Sequence, residues 1–184
     1  MKIIFLLFLC ILTATNPAHA DELDIQARRA IHHYQTTCIK FAFKIDKLRE
    51  TLQRMWPALP PEKAKLFLSG QEGRAWPIPD KNGFYVLALH DKTNYCAVFA
   101  RRANVAIVEE EFTQMLLNPP EPMIATRFMD QWQDSNEING RTHTLAYTWG
   151  LPDTKLKILF MTTTATKKDA ELQAILSVKI TSDP

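Results

Sequence analysis

The longest regular pattern of apolar and polar positions lies near the start of the chain. From Asp21 to Met55 there is neither glycine nor proline, and the apolar positions are separated alternately by four and three residues. These positions are Ala27, Ile31, Tyr34, Cys38, Phe41, Ile45, Leu48, Leu52 and Met55. Such spacing places an apolar stripe along one side of an α-helix. We therefore predict a long amphipathic helix within residues 21–56, with Thr36 and Thr37 as the point where it would break into two.

The later part of the chain carries patterns typical of a sheet. Two apolar runs, Phe84–Leu89 and Tyr95–Ala100, flank a polar turn and predict a hairpin. A helix is then predicted over Val105–Leu117, with Asn104 as its N-cap. Alternating apolar positions in residues 142–149, 156–160 and 171–180 predict three antiparallel strands in a meander.

The segments between these elements are less regular. Prolines 57, 60 and 61 end the first helix, residues 62–68 predict a short helix, and residues 69–80 are expected to form a loop rich in glycine and proline. Residues 124–132 fit either a short strand or irregular structure.

This order predicts an α+β fold with an antiparallel sheet of about five strands and a helical crossover after strand 2. That order is similar to the profilin-like and PAS-like folds, a likeness of topology that implies no function. We expect residues 57–184 to form the α+β domain, packed with the helical segment 21–56 as one unit.

The first twenty residues read as a secretory signal peptide. Lys2 supplies a positive charge, Ile3–Leu12 is almost entirely apolar, and Ala18-His19-Ala20 matches the small-x-small cleavage pattern. The apolar run is too short to span a bilayer as a helix, which needs about 20 residues. We predict cleavage after Ala20, location in the periplasm or outside the cell, and no transmembrane segment after cleavage. Lipidation of Cys10 is the weaker alternative.

Two cysteines, Cys38 and Cys96, lie beyond the predicted cleavage site. An even pair in an exported protein predicts a disulfide. Because Cys38 lies on the apolar stripe, this bond would draw the stripe towards the rest of the domain. We therefore favour a stripe that packs on its own domain over the alternative, self-association of two copies through the N-terminal helix.

Composition and charge narrow the classes of function. The chain has 184 residues, of which 46% are hydrophobic and 23% charged, and a formal charge of +2 from 22 basic and 20 acidic residues. So small a basic excess argues against a nucleic-acid-binding protein. The sequence carries no metal-binding, phosphate-binding or dinucleotide-binding motif, so we predict no metal and no cofactor. His90-Asp91 is the best candidate for a catalytic pair in a small periplasmic hydrolase, although a hairpin turn also favours polar residues.

The candidate binding residues are Arg74, Trp76, Arg101 and Arg102. Tryptophan and arginine are enriched at binding hot spots, and several arginines together suit a carboxylate or a phosphate. The alternative is that Trp76 completes the core and the arginines pair with surface acids. We expect these residues to form one surface for another envelope protein or a small anionic ligand.

A resemblance to a known group of proteins follows from the segment Phe67–Leu117. A G-R-x-W-like loop at Gly73-Arg74-Ala75-Trp76, a strand, the C-x-V strand at Cys96-Ala97-Val98 and a helix occur in that order. The segment resembles an uncharacterised family of small secreted proteins and lipoproteins of Gram-negative bacteria. The resemblance implies an envelope location and no assigned activity. This chain departs from lipidated members because Leu9, not a small residue, precedes Cys10.

The expected function is therefore that of a non-enzymatic binding or accessory protein of the bacterial cell envelope. A self-associating structural protein and, less favoured, a small periplasmic hydrolase are the alternatives.

Overall fold

One antiparallel sheet organises the part of the chain that we describe, residues 17–134 and 137–182 of a computed structural model. Its seven strands are β1 (Gly73–Ile78), β2 (Tyr85–His90), β3 (Cys96–Ala100), β4 (Ile124–Asp134), β5 (Arg141–Gly150), β6 (Lys157–Ala165) and β7 (Ala174–Thr181). Their spatial order is β1-β2-β3-β7-β6-β5-β4, so β1 and β4 are the two edges.

Helices accompany the sheet. They are α1 (Pro17–Tyr34), α2 (Ile45–Met55), α3 (Pro61–Ala64) and α4 (Val105–Leu116), with a π-helical turn at Gln35–Ile39 and a 3-10 turn at Lys65–Phe67. The predicted cap of α4 is confirmed, since the side chain of Asn104 accepts a hydrogen bond of 3.1 Å from the Ala106 amide. The predicted α+β class, the hairpin and the three-strand meander are confirmed as well.

The expected number of strands is wrong. The sheet has seven strands and not about five, and the helical crossover follows the third strand instead of the second. The first extra strand, β1, lies in the segment that the sequence predicts as a loop, and the second, β4, in the segment left ambiguous. Both are edge strands, which need less regular apolar patterns than central strands. Compared with the predicted order of two strands, a helix and three strands, the chain has one more strand on each side of the helix.

The N-terminal stripe forms two helices, as expected if it breaks, but the break comes after Thr36 and Thr37: α1 continues through these residues as a π-helical turn, and the chain leaves helical form at residues 40–44. The hydroxyl groups of these threonines donate to the carbonyls of His32, at 2.8 Å, and His33, at 2.5 Å. Threonine bonds to carbonyls one turn earlier tend to bend a helix. The bend brings Cys38 to Cys96, and the predicted disulfide is confirmed, with 5.4 Å between the Cα atoms.

The apolar stripe is buried within the chain. Ile45, Leu48 and Leu52 of α2 are at most 5% exposed and belong to the same core cluster as residues of β1, β2 and β3. Tyr34 at the end of α1 donates a hydrogen bond of 2.6 Å to the carbonyl of Ser177 in β7. These helices therefore cover one face of the sheet and leave no open apolar stripe of the kind that self-association through Ile45, Leu48 and Leu52 requires.

The predicted signal peptide falls mostly outside the described residues, which begin at Pro17. Helix α1 runs through the predicted cleavage position after Ala20. No helix in the described part of the chain has the length and apolar character needed to cross a membrane.

Candidate functional site

A groove lies beside the edge strand β1. It has a volume of about 820 Å³ and is bounded by α3, residues 58–59 and the segment 68–74. We call it the loop groove, and its lining residues are Ala58, Leu59, Pro61, Ala64, Lys65, Leu68, Gly70, Gln71, Glu72, Gly73, Arg74 and Asp91. The walls are mainly apolar, so charged groups at the rim determine which ligands it favours.

Backbone conformation shapes this groove. Ser69 and Gly70 are consecutive residues with positive φ angles, 48° and 78°, and turn the chain from the 3-10 turn into β1. Gly73 then passes so close to β2 that a Cβ atom there would lie 2.2 Å from the Leu89 carbonyl oxygen. Only glycine permits such an approach without a backbone shift. The Gly-rich sequence therefore serves a tight entry into an edge strand, which explains why it resembles a loop.

Arg74 contributes a free cation to the loop groove. Its side chain is exposed, and within the residues described here its guanidinium makes no hydrogen bond and no ion pair. By contrast, both acids that line the groove have cationic neighbours: Lys92 lies 2.6 Å from Glu72, and Arg49 lies 3.7 Å from Asp91. The groove therefore keeps a net positive rim.

The structure separates the other three candidate residues from Arg74. Trp76 is fully buried in the core cluster, so it supports the packing of β1 and does not face a partner. Arg74 is level with Cys96, the first residue of β3, because both pair with Leu89 of β2. Arg101 directly follows Ala100, the last residue of β3, and so lies at the opposite end of these strands. Five residues along a strand correspond to about 16 Å. The expected single basic surface does not form.

Arg101 and Arg102 have local partners instead. The guanidinium of Arg101 lies 5.9 Å from the centre of the Phe84 ring. Arg102 donates a hydrogen bond of 2.6 Å to the carbonyl of Ala170. Both contacts hold the end of β3 to neighbouring turns, which is a structural use of these side chains.

A second groove adjoins the loop groove on the face of the sheet opposite α1 and α2. It has a volume of about 460 Å³, and we call it the sheet groove. Its lining residues are Gln71, His90, Thr93, Tyr95, Leu159, Met161, Ser177, Lys179, Ile180 and Thr181. Gln71 lines both grooves, and a cavity of about 130 Å³ between them is lined by Gly70, Gln71, Glu72, His90, Lys92 and Thr93.

His90 lines the sheet groove and the small cavity next to it. Its ring stacks on Tyr95 with 4.2 Å between ring centres and an angle of 22°. Burial lowers the pKa of His90, and the nearby charge of Asp91 and the carbonyl of Leu68 offset this only in part. His90 is therefore neutral near pH 7. It makes no ion pair among the residues we describe, so the predicted catalytic pair with Asp91 is not assembled.

An acid–histidine cluster does occur, at the other end of the sheet. Nε2 of His143 on β5 lies 2.8 Å from Asp130 on β4, and Nδ1 lies 3.1 Å from Glu109 on α4. Burial alone would lower the pKa of His143, but the hydrogen bonds and charges of both carboxylates outweigh it and raise that pKa. The hydrogen bond from His143 in turn lowers the pKa of Asp130.

Aromatic and hydroxyl groups close this cluster. Trp132 stacks on the ring of His143 at 4.1 Å and 2°, and Arg141 covers the other side of Trp132 at 4.6 Å. The hydroxyl of Thr164 donates to Glu109. With both ring nitrogens facing carboxylates, His143 has no nitrogen left for a substrate proton, so the cluster joins α4, β4 and β5 structurally.

A third buried cluster connects α1 to the β1–β2 turn. Asp80 accepts from Arg29 at 2.7 Å and lies 2.8 Å from Nε2 of His33, and it also accepts from the backbone and side chain of Asn82. Burial alone would raise the pKa of Asp80, but these hydrogen bonds hold it well below its usual range. Every oxygen of this carboxylate is already occupied, which leaves no position for a ligand.

Sequence reasoning identified Arg74 and the segment around it but not the sheet groove or the His143 cluster. The described residues contain no group of three or more histidine, cysteine, aspartate or glutamate side chains suited to a metal ion. No family model, no curated protein and no solved structure matches this chain.

Proposed function

We propose that this protein is a non-enzymatic binding or accessory protein of the bacterial cell envelope that holds another envelope protein in the loop groove. The proposal of export rests on the signal-like N-terminus and agrees with a disulfide, which persists in oxidising compartments. It places the protein in the periplasm or outside the cell.

The observation that carries the proposal is the free guanidinium of Arg74 beside an apolar groove of about 820 Å³. An apolar surface with a few fixed polar groups is the common composition of a recognition site. Arginine at such a site favours a carboxylate or a phosphate. The groove is partly open to solvent and has room for several side chains, which favours a protein segment over a small anionic ligand, the alternative partner.

The histidines of the described residues give little support to an enzyme. His90 lines the sheet groove but makes no ion pair among the described residues, and both ring nitrogens of His143 face carboxylates. General acid–base catalysis by histidine needs a nitrogen within reach of the substrate and a group that orients the ring. Neither His90 nor His143 meets both requirements.

The proposal is tested by recovering partners of the affinity-tagged, disulfide-bonded protein from envelope extracts. Arg74→Glu is compared with Arg101→Glu, because both arginines are exposed and lie at opposite ends of the β1–β3 region. We expect a protein that copurifies with the wild type and with Arg101→Glu to be reduced about tenfold by Arg74→Glu, a hot-spot effect. Equal recovery with both variants would refute the loop groove as the binding site.

A further inference from the structure

We infer that the partner enters the loop groove with an extended C-terminal segment that lies parallel to β1, its backbone bonded to Gly73 and its terminal carboxylate beside Arg74. The segment alternates apolar and polar side chains, and the apolar ones pack on the groove side against Leu68. This inference rests on the proposed function and specifies which part of the partner binds.

The first argument is the direction of the backbone groups of β1. The Glu72 carbonyl accepts a hydrogen bond of 3.0 Å from the amide of Asp91, the residue that follows β2. In an antiparallel pair, the backbone groups of successive residues point alternately towards and away from the neighbouring strand. Those of Gly73 therefore point away from β2. Pro77, which has no N–H, lies on the same outward side of the strand.

These outward groups of Gly73 are open to a partner. Gly73 is partly exposed and lines the loop groove. Outside the pairing with β2, its backbone makes no hydrogen bond within residues 17–134 and 137–182. Unpaired N–H and carbonyl groups on an edge strand are what an extended peptide uses when it adds a strand to a sheet.

The segment before α3 limits how far a bound strand can extend. The Leu59 amide donates a hydrogen bond of 2.8 Å to the Ala75 carbonyl, and Ala75 is fully buried. The outer edge of β1 is therefore already occupied two residues after Gly73. A strand bonded to Gly73 has to stop beside Arg74, which a chain end does without any turn.

The charge at this position selects which chain end fits. Arg74 is exposed and makes no ion pair among the described residues, and the same holds for Lys65, a second cation that lines the groove. This positive rim attracts a terminal carboxylate and repels a terminal amine. With its carboxyl end at Arg74, the bound segment runs in the same direction as β1.

The two faces of β1 determine the pattern of side chains in the segment. Arg74 shares the helix-covered face with Trp76, whereas a Cβ atom on Gly73 would lie 2.8 Å from a methyl carbon of Leu68, on the other face. Residues side by side on neighbouring strands point to the same face. The penultimate residue, beside Gly73, and the residue two before it are therefore apolar, with polar residues between and after them.

The test measures binding of hexapeptides to the full, disulfide-bonded protein by fluorescence anisotropy, with fluorescein on the peptide amino terminus. The first peptide, Gly-Ser-Leu-Ser-Leu-Ser, carries leucines in the predicted positions and a free carboxyl terminus. A second differs only in a C-terminal amide, and a third has both leucines moved one residue towards the amino terminus. We expect the first peptide to bind about tenfold more tightly than either of the others.

Substitution of Arg74 locates the carboxylate. Arg74→Gln should weaken binding of the first peptide about tenfold and leave the amidated peptide unchanged, because only the first has a carboxylate to lose. Arg101→Gln, at an exposed arginine at the other end of these strands, is the matched control and should affect neither peptide.

Methylation of single peptide nitrogens tests the strand pairing. In the parallel arrangement, the N–H of the last peptide residue donates to the Gly73 carbonyl, and the N–H of the penultimate residue points away from β1. Methylating the last nitrogen should weaken binding of the first peptide about tenfold, and methylating the penultimate nitrogen should leave it unchanged.

The outcomes separate this inference from the proposed function. If the free and amidated peptides bind equally, or if both methylated peptides bind like the first, C-terminal strand addition is refuted. If no peptide binds while Arg74→Glu still reduces partner recovery from envelope extracts, the loop groove stands as the site and this inference fails alone. If Arg74→Glu leaves that recovery intact, the proposed function fails with it.

Discussion

Two histidines at opposite ends of one sheet occupy similar surroundings but differ in charge balance. His90 stacks on Tyr95 at 4.2 Å, and His143 stacks on Trp132 at 4.1 Å. Both are at most 9% exposed. His143 is held between two carboxylates, whereas His90 has no carboxylate in ion-pair contact among the described residues.

The difference shows how burial alone fails to identify a functional site. At His143 each charge is matched, aromatic rings cover the imidazole, and the cluster closes against α4. At His90 the ring stays neutral and lines the sheet groove, and the cations Arg74 and Lys179, which line the loop groove and the sheet groove, make no ion pair in the structure we describe. Unmatched charge beside an apolar groove, more than a buried histidine, indicates a place for a partner.

Loss of the disulfide is expected to change the free energy of unfolding more than any other substitution considered. The bond lies in the half of the sheet that contains His90 and not in the half that contains His143. Cys38 and Cys96 are 58 positions apart. Closing a loop of that length contributes about 4 kcal/mol in the chain-entropy model. We predict that Cys38→Ala with Cys96→Ala lowers the free energy of unfolding by about this amount, as measured by urea denaturation.

The reduced wild-type protein is the control for this double substitution. It should unfold at the same lower urea concentration as the double variant, because both lack the cross-link. If reduction leaves the free energy of unfolding unchanged, the disulfide does not stabilise the half of the sheet that contains His90 and the grooves, and this prediction is wrong.

The pH dependence of stability is a smaller effect, and it has opposite directions for the two histidines. The pKa of His143 is raised above 6.5, so its stabilising contribution is fully present below pH 6.5 and is lost as the pH rises through the folded-state pKa. The pKa of His90 is lowered below 6.5, so its neutral form is preferred in the folded state. Stability linked to His90 is therefore present above pH 6.5 and falls as the pH drops towards the folded-state pKa.

Titration of the histidine ring protons by NMR measures both pKa values in one experiment. We predict that one resonance, absent from His143→Gln, titrates above pH 6.5, and that another, absent from His90→Gln, titrates below it. A His143 resonance that titrates below pH 6.5 would mean that the two carboxylates do not hold the imidazolium. That result would remove the contrast between the two ends.

Much of the fold was predictable because it depends on local patterns. Alternation predicts β5, β6 and β7, since one face of each packs in the core, and Asn104 predicts the start of α4 through its capping side chain. The disulfide follows from the number of cysteines and the predicted export. A break between α1 and α2 was predicted, but it comes after Thr36 and Thr37, because a spacing pattern alone does not show where a helix ends.

The edges of the sheet were not predictable from the same patterns. Strand β1 contains Gly73 and Pro77, which are typical of loops, although an edge strand tolerates proline where its missing N–H would point outward. Strand β4 is exposed along most of its length and so has little alternation to detect. Edge strands are fixed by the neighbour they pair with, which lies far away in sequence.

The candidate site was only partly predictable for the same reason. Arg74 was identified because arginine and tryptophan are enriched at binding hot spots, but Trp76, two residues later in β1, is buried. Lys179 comes next to His90 and Tyr95 in the sheet groove only through the pairing of β3 with β7. The cluster at His143 likewise depends on three separate elements that meet only in the folded chain.

The most direct test of the binding surface is site-specific photocrosslinking in the living bacterium. A photoreactive amino acid replaces Gln71, which lines both grooves, or Gln133, an exposed glutamine on β4 near the His143 cluster. We predict a discrete crosslinked protein from position 71 that disappears with Arg74→Glu, and none from position 133. Crosslinks from position 133 alone, or equal crosslinks from both positions, would contradict the assignment of the partner to the His90 end.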